Sequence, residues 1–288
     1  MSLSTYSSER QWRLGRVATD LLHSRGLLLD LVRKDLRARY RNTIMGYVWA
    51  VLQPLLMMLI LTFVFGFVFQ GRVRGTQPGQ DHPYYVMLLC GLIFWQFFSV
   101  CLSRCTNSLL DNHDLVKKVY FPREAIPLAA IGSPAVNLAI GFVLFILIQL
   151  VSGGAPGAAL LWVPVILAIQ VVLIMGLGLL CASLNVYYRD VGYMVDVGLT
   201  LGFYASPVFY SLADIQDRVA AFPRGDTLLH LYMLNPMAGI LTAYRQVLLD
   251  NAAPDLSLLT WPVLCAAMAL AAGAIVFRRN APVLADYL

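Results

Sequence analysis

Charged side chains are scarce. Asp, Glu, Lys and Arg make up 13% of the 288 residues, against about 25% in a soluble domain. The hydrophobic set takes 59%, and the mean hydropathy is +0.70. So few charges do not cover this much apolar surface with a soluble shell, which excludes a soluble globular enzyme. High hydrophobicity equally excludes a disordered chain. Lysine is scarcest, with Lys34, Lys117 and Lys118 alone, and none of them follows a glycine. The P-loop pattern G-x-x-x-x-G-K-[ST] is therefore absent, and the chain does not bind ATP in that manner. No H-E-x-x-H, Cys-x-x-Cys or G-x-S-x-G occurs either. The four histidines lie outside the apolar runs, and Cys90, Cys101, Cys105, Cys181 and Cys265 read as small packing residues. No metal or other cofactor is expected in this chain, and the +5 net charge is no sign of nucleic-acid binding.

What the chain has is long apolar runs. A bilayer core of about 30 Å takes roughly 20 residues of helix. The segments 47–69, 84–103, 126–151, 159–185 and 258–277 qualify without a charge, and 192–210 carries only Asp196. None alternates as the strands of an outer-membrane barrel do. The expected fold class is all-α, a polytopic membrane protein with six transmembrane helices. Sixteen of the 21 basic residues fall on one side of this topology, nine of them before the first span. That places both termini in the cytoplasm by the positive-inside rule. Residues 1–26 have no apolar core of the kind a signal peptide needs, so the first span is expected to serve as the insertion signal. The division is a cytoplasmic N-terminal segment 1–46, a six-helix membrane domain 47–278 and a cytoplasmic tail 279–288. No 20–50-residue repeat is visible.

The apolar stretch 228–249 contains Asn235-Pro236 and Arg245. The Asn-Pro step is expected to break it into two pieces too short to span. It reads as a re-entrant or interfacial helical pair on the outer face, with a seventh span as the alternative. Residues 27–41 place Leu29, Val32, Leu36 and Tyr40 on one helical face, with Arg33, Lys34, Arg37, Arg39 and Arg41 around the remainder. This suits an amphipathic helix in the cytoplasmic interface, cationic side toward lipid headgroups. Two roles stay open: setting topology, or guiding an anionic lipid-linked substrate or partner. Asp196 is read as an interface residue near a cytoplasmic pore mouth, within reach of Arg189, with a coupling acid as the alternative. Near the fifth span lie Tyr193, Phe203, Tyr204 and Phe209, and Trp49 stands at the start of the first. Sugar C–H faces pack on such rings, so these five read as channel-lining, with an interfacial aromatic belt as the other explanation.

Four border patterns remain. The first is Arg39-Tyr40-Arg41-Asn42-Thr43-Ile44-Met45-Gly46-Tyr47-Val48-Trp49, followed by Gln53-Pro54. Here Asn42 or Thr43 suits a helix cap, and Pro54 is expected to kink the span or open its bonding one turn later. The second runs from Asn107 to Leu128 and ends Phe121-Pro122-Arg123-Glu124-Ala125-Ile126-Pro127-Leu128; it reads as a short helix bracketed by prolines that a cytoplasmic partner grips, or as an ordinary surface loop. The third is Asn185-Val186-Tyr187-Tyr188-Arg189-Asp190-Val191, where Arg189 and Asp190 are expected to fix a tight hairpin. The fourth combines Ser206-Pro207-Val208-Phe209-Tyr210 with Leu234-Asn235-Pro236-Met237 and Tyr244-Arg245.

In this order the four patterns resemble the transmembrane subunits of ABC-2 type polysaccharide exporters, those of O-antigen, capsule and teichoic acid. The resemblance covers about Leu31 to Arg279. Met45 stands where that family more often has leucine, and no family role is carried onto Asp196. The resemblance implies a homodimeric pore subunit, not an enzyme, in the bacterial inner membrane. It implies two copies of a separate P-loop ATPase, which binds the ATP and magnesium. It further implies an undecaprenyl-diphosphate-linked glycan such as O-antigen, admitted at the interface helix over Arg33, Lys34, Arg37, Arg39 and Arg41. The ATPase would be met by Leu110, Asp111, Asp114, Leu115, Lys117 and Tyr120. The outer gate would hold Tyr232, Asn235, Pro236 and Tyr244. Two other readings remain: an ABC-2 exporter of a small molecule or other lipid, and a lipid-processing enzyme using His113, Asp111 and Asp114.

Overall fold

A backbone in lipid has no partner but itself, and the described chain is helical, with no strand among the described residues. The structure, a computed structural model, describes residues 25–40, 46, 48–68, 82–118, 122–220, 222, 223 and 225–287. The helices are α1 (Arg25–Tyr40), α2 (Val48–Leu61, continued by a π-helical stretch Thr62–Val68), α3 (Tyr84–Asp111), α4 (His113–Lys118), α5 (Ala125–Ala129) and α6 (Gly132–Val151). A 3-10 turn Ala158–Trp162 leads into α7 (Val163–Tyr187). Then come α8 (Asp190–Ala205), α9 (Leu212–Val219), α10 (Gly225–Met233), α11 (Pro236–Leu248), α12 (Leu256–Asn280) and α13 (Leu284–Tyr287). Among the described residues, four stretches are long and apolar enough to cross a membrane: Tyr84–Asp111, Ala125–Val151, Ala158–Tyr187 and Leu256–Asn280.

The central element is α3, buried along most of Val86–Leu109 except on the side of Gln96, Ser99, Ser103 and Asn107, and packed on α2, α6, α7, α8 and α11. The most extensive pairing joins α7 to α12. Without a hydrophobic drive between helices in lipid, such pairs depend on close backbone approach, which small residues permit. A Cβ on Gly176 of α7 would run into the backbone of Ala269 and Leu270, and one on Gly273 of α12 into the Gly176 carbonyl. At the α1 end of the bundle this pair is fastened further. Asn280 donates to Ser183 Oγ at 2.9 Å, Glu124 meets Arg278 at 4.0 Å, and Arg123 donates to the Ala281 carbonyl.

Several expectations are corrected. The fifth apolar run is helical only to Ala205, because Pro207 holds Ser206 extended (ψ 151°) and offers no amide for the ladder. Pro54 sits inside α2 without ending it, and the wide turn comes later, at Thr62–Val68. The tight α7–α8 hairpin is fixed by neither Arg189 nor Asp190, both of them exposed. Asn185 fixes it, donating to the Thr106 carbonyl and Asn107 Oδ1 and accepting from the Gly192 amide at 2.9 Å. The break at Asn235-Pro236 is present, and α11 beyond it is packed into the bundle, with Met237–Arg245, Val247 and Leu248 buried. On α1 the packed side is centred on Leu31, which is buried, and on Val32, which lies against Gly132, while Leu29 is exposed.

Gly273→Val should force α7 and α12 apart and cost about 1–3 kcal/mol of stability. A lower unfolding midpoint in detergent, followed with a thiol-reactive dye on the buried cysteines, measures this. Gly198→Ala, where an added Cβ meets nothing within 4 Å, should leave the midpoint in place.

Candidate functional site

Polar side chains inside apolar helices are costly unless they face water or one another. Three helices bring theirs together. Gln96, Ser99, Ser103 and Asn107 recur on one side of α3, and α8 brings Asp196 and Thr200, one turn apart. Gln53 joins them from α2. With Arg104, all of them but Asn107 line an open groove of about 1050 Å³ between α2, α3 and α8, whose apolar walls are Trp49, Trp95, Phe203 and Tyr204 together with aliphatic residues. Ser103 Oγ donates to Asp196 Oδ1 at 2.9 Å, and Thr200 Oγ1 donates to the Asp196 carbonyl.

Away from α1, the groove ends in an aromatic cluster. Phe203 lies 6.1 Å from Trp95, 5.3 Å from Tyr204 and 5.8 Å from Phe209, centroid to centroid. Phe209 in turn stacks on Phe65 at 5.3 Å and meets Tyr210 edge-on at 4.9 Å. Phe209 and Tyr210 belong to the non-helical turn 206–211, whose carbonyls have no ladder to join. Other elements supply the donors. Arg245, 2% exposed, donates to the Tyr210 carbonyl at 2.6 Å and the Val208 carbonyl at 2.7 Å. Tyr84 donates to the Phe209 carbonyl at 3.0 Å. Asn235 donates to Ser206 Oγ and the Ala205 carbonyl while its Oδ1 caps α11 at the Met237 amide. Gly91 makes room on α3, since a Cβ there would come within 2.6 Å of the Val208 carbonyl.

At the opposite end, α1 rests on the end of α3. Lys34 Nζ donates to Asn112 Oδ1 at 2.8 Å, and Asp35 lies 3.9 Å from Arg104. Beneath this contact is a cavity of about 480 Å³ lined by Lys34, Asp35, Arg104, Ser108, Asp111 and Asn112, among others. Arg104 lines both spaces.

The residues singled out from sequence distribute as follows. Arg33 and Arg37 are exposed on α1, Arg33 near Asp30 at 3.6 Å. Arg41 and Tyr120 lie outside the described residues, as do the side chains of Arg39 and Lys117. Leu110 and Asp111 close α3, while Asp114 and Leu115 stand on α4, with Asp114 exposed near His113 at 3.6 Å. Trp49, Phe203 and Tyr204 line the groove, Phe209 joins its aromatic end, and Tyr193 is exposed on α8 outside the lining. Tyr232 reaches the Tyr210 hydroxyl at 3.5 Å, and Pro236 opens α11. Tyr244 is fully buried, stacked on Phe94 at 3.5 Å with its hydroxyl donating to Gln170 Oε1. Residues not singled out include Trp95, Phe65, Gln96, Ser99 and Ser103. The four-residue polar spacing along α3 was the available signal. Among the described residues no group of three or more His, Cys, Asp or Glu suits a metal ion.

A family model described as ABC-2 type transporter matches residues 27–249. The chain is 30% identical over 240 residues to the O-antigen export system permease protein RfbA of Myxococcus xanthus, covering 83% of this chain and 86% of the relative. Over 226 residues it is 27% identical to the protein of the same name from Klebsiella pneumoniae, covering 78% and 81%. The polysialic acid transport protein KpsM of Escherichia coli is 22% identical over 206 residues, 71% of this chain and 78% of that one.

Arg245→Met should leave the Val208 and Tyr210 carbonyls buried without donors, a loss of about 1–3 kcal/mol for each. Thermal unfolding in detergent measures it. Arg245→Lys, which keeps a cation and one donor direction, should fall between Met and the wild type.

Proposed function

The chain belongs to the ABC-2 type transporter family, and from that premise we propose that it is the pore subunit of a polysaccharide exporter. The observation that carries this reading is the groove. A glycan presents hydroxyls around its ring edges and C–H groups on its faces. A path that offers Gln53, Gln96, Ser99, Ser103 and Thr200 between Trp49, Trp95, Phe203 and Tyr204 meets both. A small apolar drug would gain little from the polar residues. The relatives named as O-antigen export permeases support the same substrate class.

In this reading the subunit crosses the bacterial inner membrane six times, with α2, α3, α5–α6, α7, α8 and α12 as spans and both termini in the cytoplasm. Two copies form the channel, and the grooves of the two copies face one another across it. The chain performs no covalent chemistry. ATP and magnesium are held by two copies of a partner ATPase, which presses on α4 and the end of α3. The Lys34–Asn112 bond and the Asp35–Arg104 pair pass that movement to α1. The exposed Arg33 and Arg37, with Arg39 and Arg41, hold the diphosphate of a lipid-linked glycan at the headgroup level, each basic residue contributing about 1 kcal/mol near an anionic surface. The sugar chain then enters the groove and slides past the aromatic cluster, with α10 and the start of α11 (Tyr232, Asn235, Pro236) beside its exit.

The test is export in cells. Deleting the gene should abolish a surface glycan while its lipid-linked precursor accumulates inside. The purified chain should show no ATPase activity alone and should co-purify with a P-loop protein. Phe203→Ala should slow export about fivefold, the loss of one ring contact, and charge reversal at Arg37, Arg39 and Arg41 should impair export more than membrane insertion. An unchanged surface glycan in the deletion strain overturns the reading.

A further inference from the structure

The carboxylate of Asp196 stands on the wall of the groove that Arg104 and the rings of Trp95, Phe203 and Tyr204 also line. Ser103 satisfies one of its oxygens. Among the described residues, none brings a cation to it within ion-pair distance. The nearest basic wall residue, Arg104, turns to Asp35 instead. A single acid in an apolar setting is tolerated where it lines a water-filled space, and this groove is wide enough to hold a sugar unit. The same groove is lined by aromatic rings, with Tyr204 63% and Trp49 47% exposed. A carboxylate oxygen in an aromatic-lined groove suits a pyranose, whose vicinal hydroxyls donate while a C–H face packs. The same charge repels a uronate, sialate or phosphate-bearing unit.

We propose that Asp196, with Ser103 holding its rotamer, is a sugar-reading subsite that accepts neutral glycan units and turns away acidic ones. The inference rests on the polysaccharide reading above and deepens it. It assigns the neutral-versus-acidic choice to one residue of α8.

The test uses the complex with its ATPase in lipid nanodiscs and follows tryptophan fluorescence, since Trp49 and Trp95 line the groove. The probes are maltohexaose, which is neutral, and hexagalacturonate, which is acidic. The wild type should bind maltohexaose at least about tenfold more tightly than hexagalacturonate. Asp196→Asn removes the charge at constant shape; it should weaken maltohexaose about tenfold and abolish the discrimination. Asp196→Lys should reverse it. Ser103→Ala, which leaves the charge in place, should weaken maltohexaose but keep the acidic probe excluded. Elution of each variant with its ATPase at the wild-type volume shows that it is folded. If the wild type binds maltohexaose and Asp196→Asn discriminates as before, the subsite is overturned while the polysaccharide reading stands. If neither probe quenches the wild type, the polysaccharide reading falls and the subsite with it.

Discussion

The architecture depends on one buried cation. Arg245 lies at the end of α11 with its guanidinium against the carbonyls of Val208 and Tyr210. Charge-assisted bonds of this kind contribute about 1.5–3 kcal/mol each, and they are made where no water competes. Without them, the turn 206–211 would hold unpaired carbonyls inside an apolar bundle. The turn exists because Pro207 stops α8. A helix continuing through 206–211 would carry Phe209 and Tyr210 round its axis and disperse the ring cluster. Stopping it lets Phe209 rest on Phe65 and Phe203 together. The Asn235 amide and the Tyr84 hydroxyl complete the cradle from two further elements. The Ser-Pro and Asn-Pro motifs, 29 residues apart, are thus two halves of one hydrogen-bonded assembly.

A second constraint works at the other end. Helix α1 lies on the bundle through a small contact: Leu31 buried, Val32 against Gly132, and two polar links to α3. The links are partly exposed, with Arg104 and Asp35 each about one-third accessible, so each holds weakly. A helix held weakly at the place where α4 begins is suited to move with it. The strong assembly around Arg245 and the weak one around Lys34 and Arg104 give the molecule one firmly bonded end and one lightly bonded end.

Much of the fold was legible in the sequence, because lipid imposes a simple rule on composition. The long apolar runs correspond to α3, α6, α7 and α12, and the Asn235-Pro236 break falls where the local chemistry put it. The errors have a common cause. Hydropathy measures what a segment is made of and not what it faces. It gave no sign that Arg245 inside α11 is buried against carbonyls supplied from 206–211. It put Leu29 on one face of α1 with Val32, Leu36 and Tyr40, although Leu31 beside Val32 meets the bundle and Leu29 is exposed. It marked Arg189 and Asp190 at the hairpin because charges are conspicuous, when the neutral amide of Asn185 reaches three groups at once.

The groove was legible only in part for the same reason. Exposed aromatic rings on α8 stand out in a sequence, and Phe203 and Tyr204 are found at the wall. Gln96, Ser99 and Ser103 do not stand out, since each is a single uncharged residue in a span whose mean hydropathy remains high. Their meaning comes from register. At spacings of three and four they share one face of α3, and that face meets Asp196 and Thr200 because Asn185 sets the angle at which α8 leaves α7. A count of ionisable groups therefore registers a membrane interior nearly free of charge, while the arrangement of neutral ones builds a hydrophilic path through it. For a substrate whose own groups are hydroxyls, the neutral path matters more than the charges. A hydroxyl needs partners that accept and donate without binding it firmly, and serine, threonine and glutamine offer both along the length of the groove.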